Sequence, residues 1–432
     1  MNSSEQFTKY SINTIVTQFI ILITSILISI ITARVLSPEG RGQLSLILLI
    51  PMLSVTFGGM GMVHAINYYA SRMPATKLIV NSFILSGLLS VLLVATTLPV
   101  VYISKNIFSM TLNKEILFLI SIFIPFYLFN YCFISLLQGF YKIVIRNLLN
   151  VTHALLNLLL LVILIITLKL GVAGAVTAFV VAILLVTILS AIFVLKEIEI
   201  KDIRLESGII KQLLSFGLKS HIGNVLKDLS YRGDILIISY FLSTASVGYY
   251  VIAVTVAETI WRIPDAIGSV LLPRIARMDK SNARAFTPVV SRIVLVPVML
   301  LCLIIFLFRE DIICLAFGNE FLPSSPALVI LLPGILFLSI WKIIANDLIA
   351  QGYPAKYSIT SGIALVTMVA LDLWLIPLFG INGAALASTI SYMAATVSII
   401  TIYSRVTGNS FKELLIPARI DLSYYKKLFM GL

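Results

Sequence analysis

Charge, histidine and cysteine are all scarce in this sequence: charged residues fill 12% of its 432 positions, and there are three histidines and three cysteines. Cys132, Cys302 and Cys314 lie in or beside apolar segments, without the spacing of a disulfide framework or a zinc site, and each reads as a packing residue. No metal and no other cofactor is expected. Long polar segments are missing as well. The longest polar connection, KEIEIKDIRLESGIIKQLLS, runs only from 196 to 215, which excludes a soluble catalytic domain hung from the chain and argues against an enzyme. The N-terminal MNSSEQFTKYSINT lacks the basic stretch and small-residue cleavage site of a secretory signal, so the first apolar run is expected to stay in the mature protein.

What the sequence has in abundance is apolar surface. Hydrophobic residues make up 59% of the chain and mean hydropathy is +1.07, more than one soluble core could hide. Runs such as FIILITSILISIITA, LLLLVILIITL and VVAILLVTILSAIFVL are long, uncharged and rich in Ile, Leu and Val. That is the signature of spanning α-helices rather than of a β-barrel. Cutting at charges and at Gly, Pro and Asn breaks predicts twelve spans, at 12–33, 44–70, 79–104, 116–139, 147–168, 173–195, 217–242, 246–273, 286–308, 323–350, 356–378 and 383–404. The expected fold is all-α and integral to the membrane, with two six-helix pseudo-symmetric lobes around a central cavity.

Lys and Arg assign the orientation. Alternate connections from Lys9 through Arg72, Lys142, Lys196, Arg274 and Lys356 to Arg405 hold nineteen of them, whereas the opposite side has six, including Arg34, Arg41 and Arg309. Both termini are therefore expected in the cytoplasm. The net charge of +12 follows from this topology and does not imply a nucleic-acid partner. The predicted organisation is an N-terminal lobe at 1–198, a cytoplasmic amphipathic linker at 199–216 and a C-terminal lobe with its tail at 217–432. In the linker Ile209, Ile210, Leu213 and Leu214 share one helix face, as in an interfacial helix or an ordinary amphipathic connector. The tail, with Tyr424, Tyr425, Lys426, Lys427, Leu428 and Phe429, reads the same way.

Short motifs recur in the same order in the two halves. RVLSPEGRGQL after span one parallels YFLSTASVGYY after span seven, so that a shift of 206 places Leu36, Ser37 and Gly42 on Leu242, Ser243 and Gly248. LLQGFYK at 136–142 parallels IAQGYPAK at 349–356, and GVAGA at 171–175 parallels GINGA at 380–384. Each half has an even number of spans, so the repeat is parallel, about an axis along the membrane normal, as in rocking two-lobe transporters.

The scarce charges are concentrated in the spans of the second half. Span seven, HIGNVLKDLSYRGDILIISYFL, includes Lys227, Asp228, Arg232 and Asp234; span eight has Glu258, Arg262 and Asp265; spans ten and eleven add Lys342, Asp347 and Asp372. A charge at the bilayer centre costs about 2.5–3.5 kcal/mol on insertion scales and faces a partner or water. Helical spacing pairs Asp228 with Arg232, Glu258 with Arg262 and Arg262 with Asp265. Lys227, Tyr231 and Asp234 form one polar stripe, and His221, Asn224, Asp228 and Tyr231 another. Neutralised packing pairs and a water-lined cavity wall both fit the paired charges; Lys342 and Asp372, with no partner in their own helices, fit the wall. His64 and His153 read as packing histidines. Pro51, Pro125, Pro264, Pro297, Pro333 and Pro377 are expected to kink their spans.

With ARVLSPEGRGQLSLI at 33–47, LLQG at 136–139, LSYRGDILIISYFLSTASVGYYVIAVTVAETIWRIPDAI at 229–267 and AQGYPAKY at 350–357, the chain resembles the Wzx-type oligosaccharide-lipid flippases of the multidrug/oligosaccharidyl-lipid/polysaccharide exporter superfamily. The resemblance implies a two-lobe transporter of the bacterial inner membrane. Its substrate would be an undecaprenyl-pyrophosphate-linked oligosaccharide repeat unit, turned over by alternating access for surface polysaccharide such as O-antigen. It also implies membrane lipid, a polysaccharide polymerase and export proteins as partners, and coupling to protons or cations. Carried onto this sequence, the expected substrate-binding residues are Arg34, Lys227, Tyr231, Arg232, Trp261, Arg262, Lys342 and Asn346, and the ion-coupling residues Asp228, Asp234 and Glu258. The first lobe departs from the family's basic cavity, with few intramembrane cations beyond Arg34. A multidrug or cation exporter of the same superfamily is the alternative.

Overall fold

The structure, a computed structural model, describes residues 3–104, 113–198, 204–275 and 280–415. Helix α1 (Ser3–Gly58) has 56 residues, about 84 Å at 1.5 Å per residue, against a hydrocarbon core of about 30 Å. It crosses twice, because it breaks at Ser37 (φ 61°, ψ 173°), where Pro38 keeps the preceding residue out of the helical region. A second break at Met60 and Gly61, both left-handed, leads to α2 (Met62–Tyr69), which completes the second span. Next come α3 (Ala75–Ser104), α4 (Lys114–Gly139), α5 (Ile143–Leu161), which runs on into a π-helical stretch at Val162–Thr167, and α6 (Gly171–Leu195).

The second half holds α7 (Ser207–Phe241), α8 (Thr244–Ile275), α9 (Lys280–Leu307), the short α10 (Arg309–Phe317), a 3-10 turn at Asn319–Ser324, α11 (Ser325–Ala350), α12 (Pro354–Phe379), α13 (Ile381–Thr407) and α14 (Phe411–Leu415). Among the described residues nine helices are long and apolar enough to cross a membrane, with α1 taken as one of them. The second arm of α1 and the long but charged α7 and α8 account for the other three spans. The protein is an all-α, multi-pass membrane protein of twelve spans. The expected prolines all lie inside helices, in α1, α4, α8, α9, α11 and α12.

Two compact units divide the chain. Unit 1 comprises Met1–Val225 with Ser243–Gly248, and unit 2 comprises Leu226–Leu242 with Tyr249–Leu432. In unit 1, Leu44, Leu46, Ile66, Leu78, Ile124 and Leu136 are fully buried. The first turns of α7 are fastened to this unit: Phe216 stacks on Tyr68 at 4.3 Å, Lys77 pairs with Glu206 at 2.8 Å, and the buried Asn81 amide accepts from Glu206 N and donates to Arg204 O. The described part of the predicted linker from Ser207 onward is the beginning of α7, with its apolar Ile209 and Leu213 covered by protein. The tyrosine- and lysine-rich tail lies outside the described residues.

Unit 2 is held together by a stripe of small residues. Gly383, Ala384, Ala385, Ala387, Ser388, Ser391 and Ala395 on α13 are buried, which lets neighbouring helices approach. Side-chain hydroxyls then bond across the gaps, Thr389 to Ile330 O at 2.6 Å, Thr396 to Phe337 O at 2.8 Å and Ser391 to Ala364 O at 2.7 Å.

The repeated motifs have matching physical roles. Gly171 and Gly380 carry φ of +57° and +59° at the starts of α6 and α13, a conformation that L side chains resist. Three residues on, a Cβ at Gly174 would stand 3.1 Å from Leu164 O, and one at Gly383 would stand 2.2 Å from Leu375 O. Within unit 1 the two long turns meet reciprocally: a Cβ on Gly42 would lie 1.8 Å from Thr244 O, and one on Gly248 would lie 2.0 Å from Pro38 O. Under the shift of 206, Pro38 corresponds to Thr244 and Gly42 to Gly248. Each turn thus makes toward its copy the contact that its copy makes toward it.

Candidate substrate and ion site

The charged face of unit 2 is built where α7 from Leu226 onward meets α8 and α11. Lys342, on the largely apolar α11, is buried, yet its ammonium has partners on α7 and α8. Both Asp265 carboxylate oxygens accept from Lys342 Nζ at 2.7 Å, and the Trp261 and Tyr231 rings lie 4.5 and 5.7 Å away. The two rings pack at 5.0 Å, so the lysine sits against a pair of π faces. Beside it Arg232 Nη2 lies 2.7 Å from Glu258 Oε1, an ion pair whose angle does not close a hydrogen bond. Lys227 meets Asp228 at 3.1 Å.

These pairs are matched but partly exposed. The Arg232 side chain is 39% exposed and Asp265 is 49% exposed, whereas Glu258 and Lys342 are 15% and 8% exposed. Lys227 and Glu258 lie within electrostatic range of Lys342. The Tyr231 hydroxyl is buried without a hydrogen-bond partner among the described residues, an arrangement that normally costs about 1–3 kcal/mol. Three cations held by movable acids, an orphan phenol and two aromatic rings make a surface suited to an anion carried on a larger, partly apolar body.

A second cluster lies deeper in the unit. Asp234 is buried, accepting from Ile235 N at 2.8 Å, from the Tyr250 hydroxyl, and from Ser388 Oγ at 3.3 Å. Asp372 on α12 is buried, neither of its oxygens has a hydrogen-bond partner, and it lies within electrostatic range of Asp234. Two buried carboxyls so placed repel unless a proton or a cation is shared between them. Arg232 connects the clusters, acting electrostatically on both Glu258 and Asp234.

Several expected pairings are corrected. Arg232 meets Glu258 on α8 rather than Asp228 on its own helix, and Asp265 meets Lys342 rather than Arg262. Helical spacing makes those intrahelical neighbours available, but packing of α7, α8 and α11 offers shorter approaches. Arg262 is exposed and forms no ion pair among the described residues. The stripe from His221 to Tyr231 is split, since His221 and Asn224 reach Phe57 O and His64 in unit 1. Asn346 donates to Lys342 O at 2.9 Å, and its amide occupies the space a Cβ on Gly268 would need, which makes it a spacer between α11 and α8. Arg34 belongs to unit 1, exposed one turn before the Ser37 break. The sequence reading passed over Tyr250 and Ser388, whose types carry no signal until the fold places them beside Asp234.

Comparison with known proteins gives a consistent picture. Residues 7–279 match the family described as polysaccharide biosynthesis protein. Over 175 residues, 38% of this chain and 36% of the relative, the sequence is 30% identical to a Haloferax volcanii protein named "Probable low-salt glycan biosynthesis flippase Agl15". The chain thus spans about a third of the length of that relative. Among solved structures, the lipid II flippase MurJ in an inward closed conformation superposes with a TM-score of 0.77 at 17% identity, over 98% of this chain and 92% of that one. An inward-facing multidrug resistance MATE family transporter of the MOP superfamily superposes at 0.75, also 17% identical, over 90% and 94%. The fold is shared by flippases and drug transporters alike, and none of these proteins is named as an enzyme.

Proposed function

This chain belongs to the polysaccharide biosynthesis protein family, and from that premise we propose that it is a flippase. Its cargo is an undecaprenyl-pyrophosphate-linked oligosaccharide repeat unit, carried across a bacterial cytoplasmic membrane by alternating access for surface polysaccharide, with both termini in the cytoplasm. The observation that carries this reading is the face formed by Lys227, Arg232 and Lys342, three cations each held by an acid that a stronger anion can replace. Arg232 binds two phosphate oxygens at once. Tyr231 and Trp261 offer rings to the sugar or the prenyl chain. An exporter of organic cations is served better by acids left without bases where the substrate binds, and on this face Asp228, Glu258 and Asp265 are each paired.

Coupling follows from the position of Arg232. When pyrophosphate draws the guanidinium away, Glu258 and Asp234 lose its charge together, and a proton or cation entering the Asp234 and Asp372 pocket restores neutrality. Release of the substrate returns the guanidinium and expels the proton or cation, so that both ligands favour the same state of these groups and each promotes binding of the other. Asp234→Asn is expected to leave membrane insertion intact and to make transport indifferent to an imposed proton or sodium gradient. A variant as gradient-dependent as the parent protein removes Asp234 from coupling.

The function itself is tested by depleting the protein in its native cell. Lipid-linked repeat units should accumulate on the cytoplasmic leaflet, and proteoliposomes holding the purified protein should bring a labelled lipid-pyrophosphate glycan to the opposite leaflet. Export of cationic dyes without glycan turnover would favour the drug-exporter alternative instead.

A further inference from the structure

Away from both clusters, the end of unit 2 where α11 and α13 finish and α9 begins holds a third carboxylate that the transport reading does not use. Asp347 stands in the last turn of α11 and is completely buried. Its Oδ1 accepts from Gln351 Nε2 at 2.7 Å, while its Oδ2 has no hydrogen-bond partner. Thr287 of α9 and Tyr403 of α13, both fully buried, bring their hydroxyls within hydrogen-bonding reach of the same carboxylate, but neither hydroxyl is placed to complete a direct bond. Asn409 adjoins the Tyr403 hydroxyl. Among the described residues no basic side chain forms an ion pair with Asp347, and its position at the negative end of the α11 dipole gives it no help from the backbone.

Three unsatisfied oxygens from three helices thus face one another around a carboxylate that no basic side chain among the described residues neutralises. We propose that Thr287, Asp347 and Tyr403 form a binding site for a small monovalent cation of the sodium class, which ties α9, α11 and α13 together at this end of the unit. The donors are all hard oxygens, which suits alkali and alkaline-earth ions and not thiophilic or imidazole-seeking metals. No group of three His, Cys, Asp or Glu able to hold a metal occurs among the described residues. With a single carboxylate, one positive charge reaches neutrality and a divalent ion would leave an excess buried in an apolar unit. A bound ion also accounts for the hydroxyls: an atom between them and Oδ2 receives their lone pairs, where direct hydrogen bonds are not made.

The test is thermal unfolding of the purified full-length protein in detergent, with NaCl exchanged for choline chloride at constant ionic strength, together with ²²Na⁺ binding. Sodium should raise Tm in a saturable way, since a ligand of the folded state alone stabilises it by mass action. Asp347→Asn should lose that shift, and Thr287→Val and Tyr403→Phe should each weaken sodium at least about fivefold, a change that moves the midpoint of the same titration. All of these variants are made in an Asp234→Asn, Asp372→Asn background, which removes any cation held by the coupling pocket and separates the two sites whether or not the chain proves to be a flippase. The two hydroxyl variants decide the matter if Asp347→Asn does not fold. The proposal is overturned by a background protein with no saturable sodium response, or by a response that survives all three substitutions.

Discussion

Arg232→Gln is expected to lower glycan turnover at least about tenfold, equivalent to about 1.4 kcal/mol of lost stabilisation along the transport cycle. The guanidinium acts on both Glu258 and Asp234, and glutamine can neither pair with a phosphate bidentately nor carry charge between the clusters. Part of any loss could come from the fold, because stripping a fully buried ion pair of one partner costs about 3–5 kcal/mol. Here Arg232 is 39% exposed, so the cost falls below that range. The double variant Arg232→Gln with Glu258→Gln separates the two effects. It removes the unpaired charge and should recover the parent's Tm, while turnover stays low. Turnover restored to the parent level in the double variant would reduce the pair to a packing device and remove Arg232 from the substrate site.

Gly248→Val and Gly42→Val are expected to abolish turnover by a different route. Their new Cβ atoms would stand 2.0 Å from Pro38 O and 1.8 Å from Thr244 O, where ordinary contact begins at 3.4 Å. The turns have to part by more than an ångström, and overpacking of this order costs about 1–3 kcal/mol or more. The arrangement in which the turns touch is then depleted about tenfold or beyond, since each 1.4 kcal/mol is a factor of ten. A single cysteine introduced as Thr244→Cys, with the three native cysteines replaced, reports the separation. Membrane-impermeant maleimide should label it severalfold faster when Gly248→Val is added. Unchanged labelling together with normal turnover would mean that the close approach has no part in the cycle.

The parts of this protein that were legible in its sequence are those set by local physics. Hydropathy delimits the spans because the bilayer acts on each segment separately, and the Ser37–Pro38 break follows from the steric demand of one proline. The GVAGA and GINGA motifs were legible as a repeat, and the structure shows why both carry glycine, since Gly171 and Gly380 hold positive φ, which glycine adopts at no cost. Charge was also legible as far as its concentration in the second half. Partnership was not. Arg232 has Asp228 four residues before it and chooses Glu258 on the next helix, and Asp234, read as part of the same polar wall, lies deeper, beside Tyr250 and Ser388. Such choices depend on the rotation and depth of neighbouring helices, which no spacing rule contains. Asp347 was visible as an intramembrane acid, but its isolation from any base appears only once α9, α11 and α13 are assembled.

The reciprocal glycines bear on how the two halves of this protein can change. At each position the obstacle is a main-chain carbonyl, which belongs to every residue type, so no replacement of Thr244 or Pro38 makes room for a side chain opposite. Neither turn can then be relieved by a second-site change in the other, and both are held at fixed length, because one inserted residue would present a different carbonyl. A hybrid joining the first half of this chain to the second half of a relative should assemble only where that relative keeps glycine at the position of Gly248. The rest of each half is free to diverge in charge, as these two have.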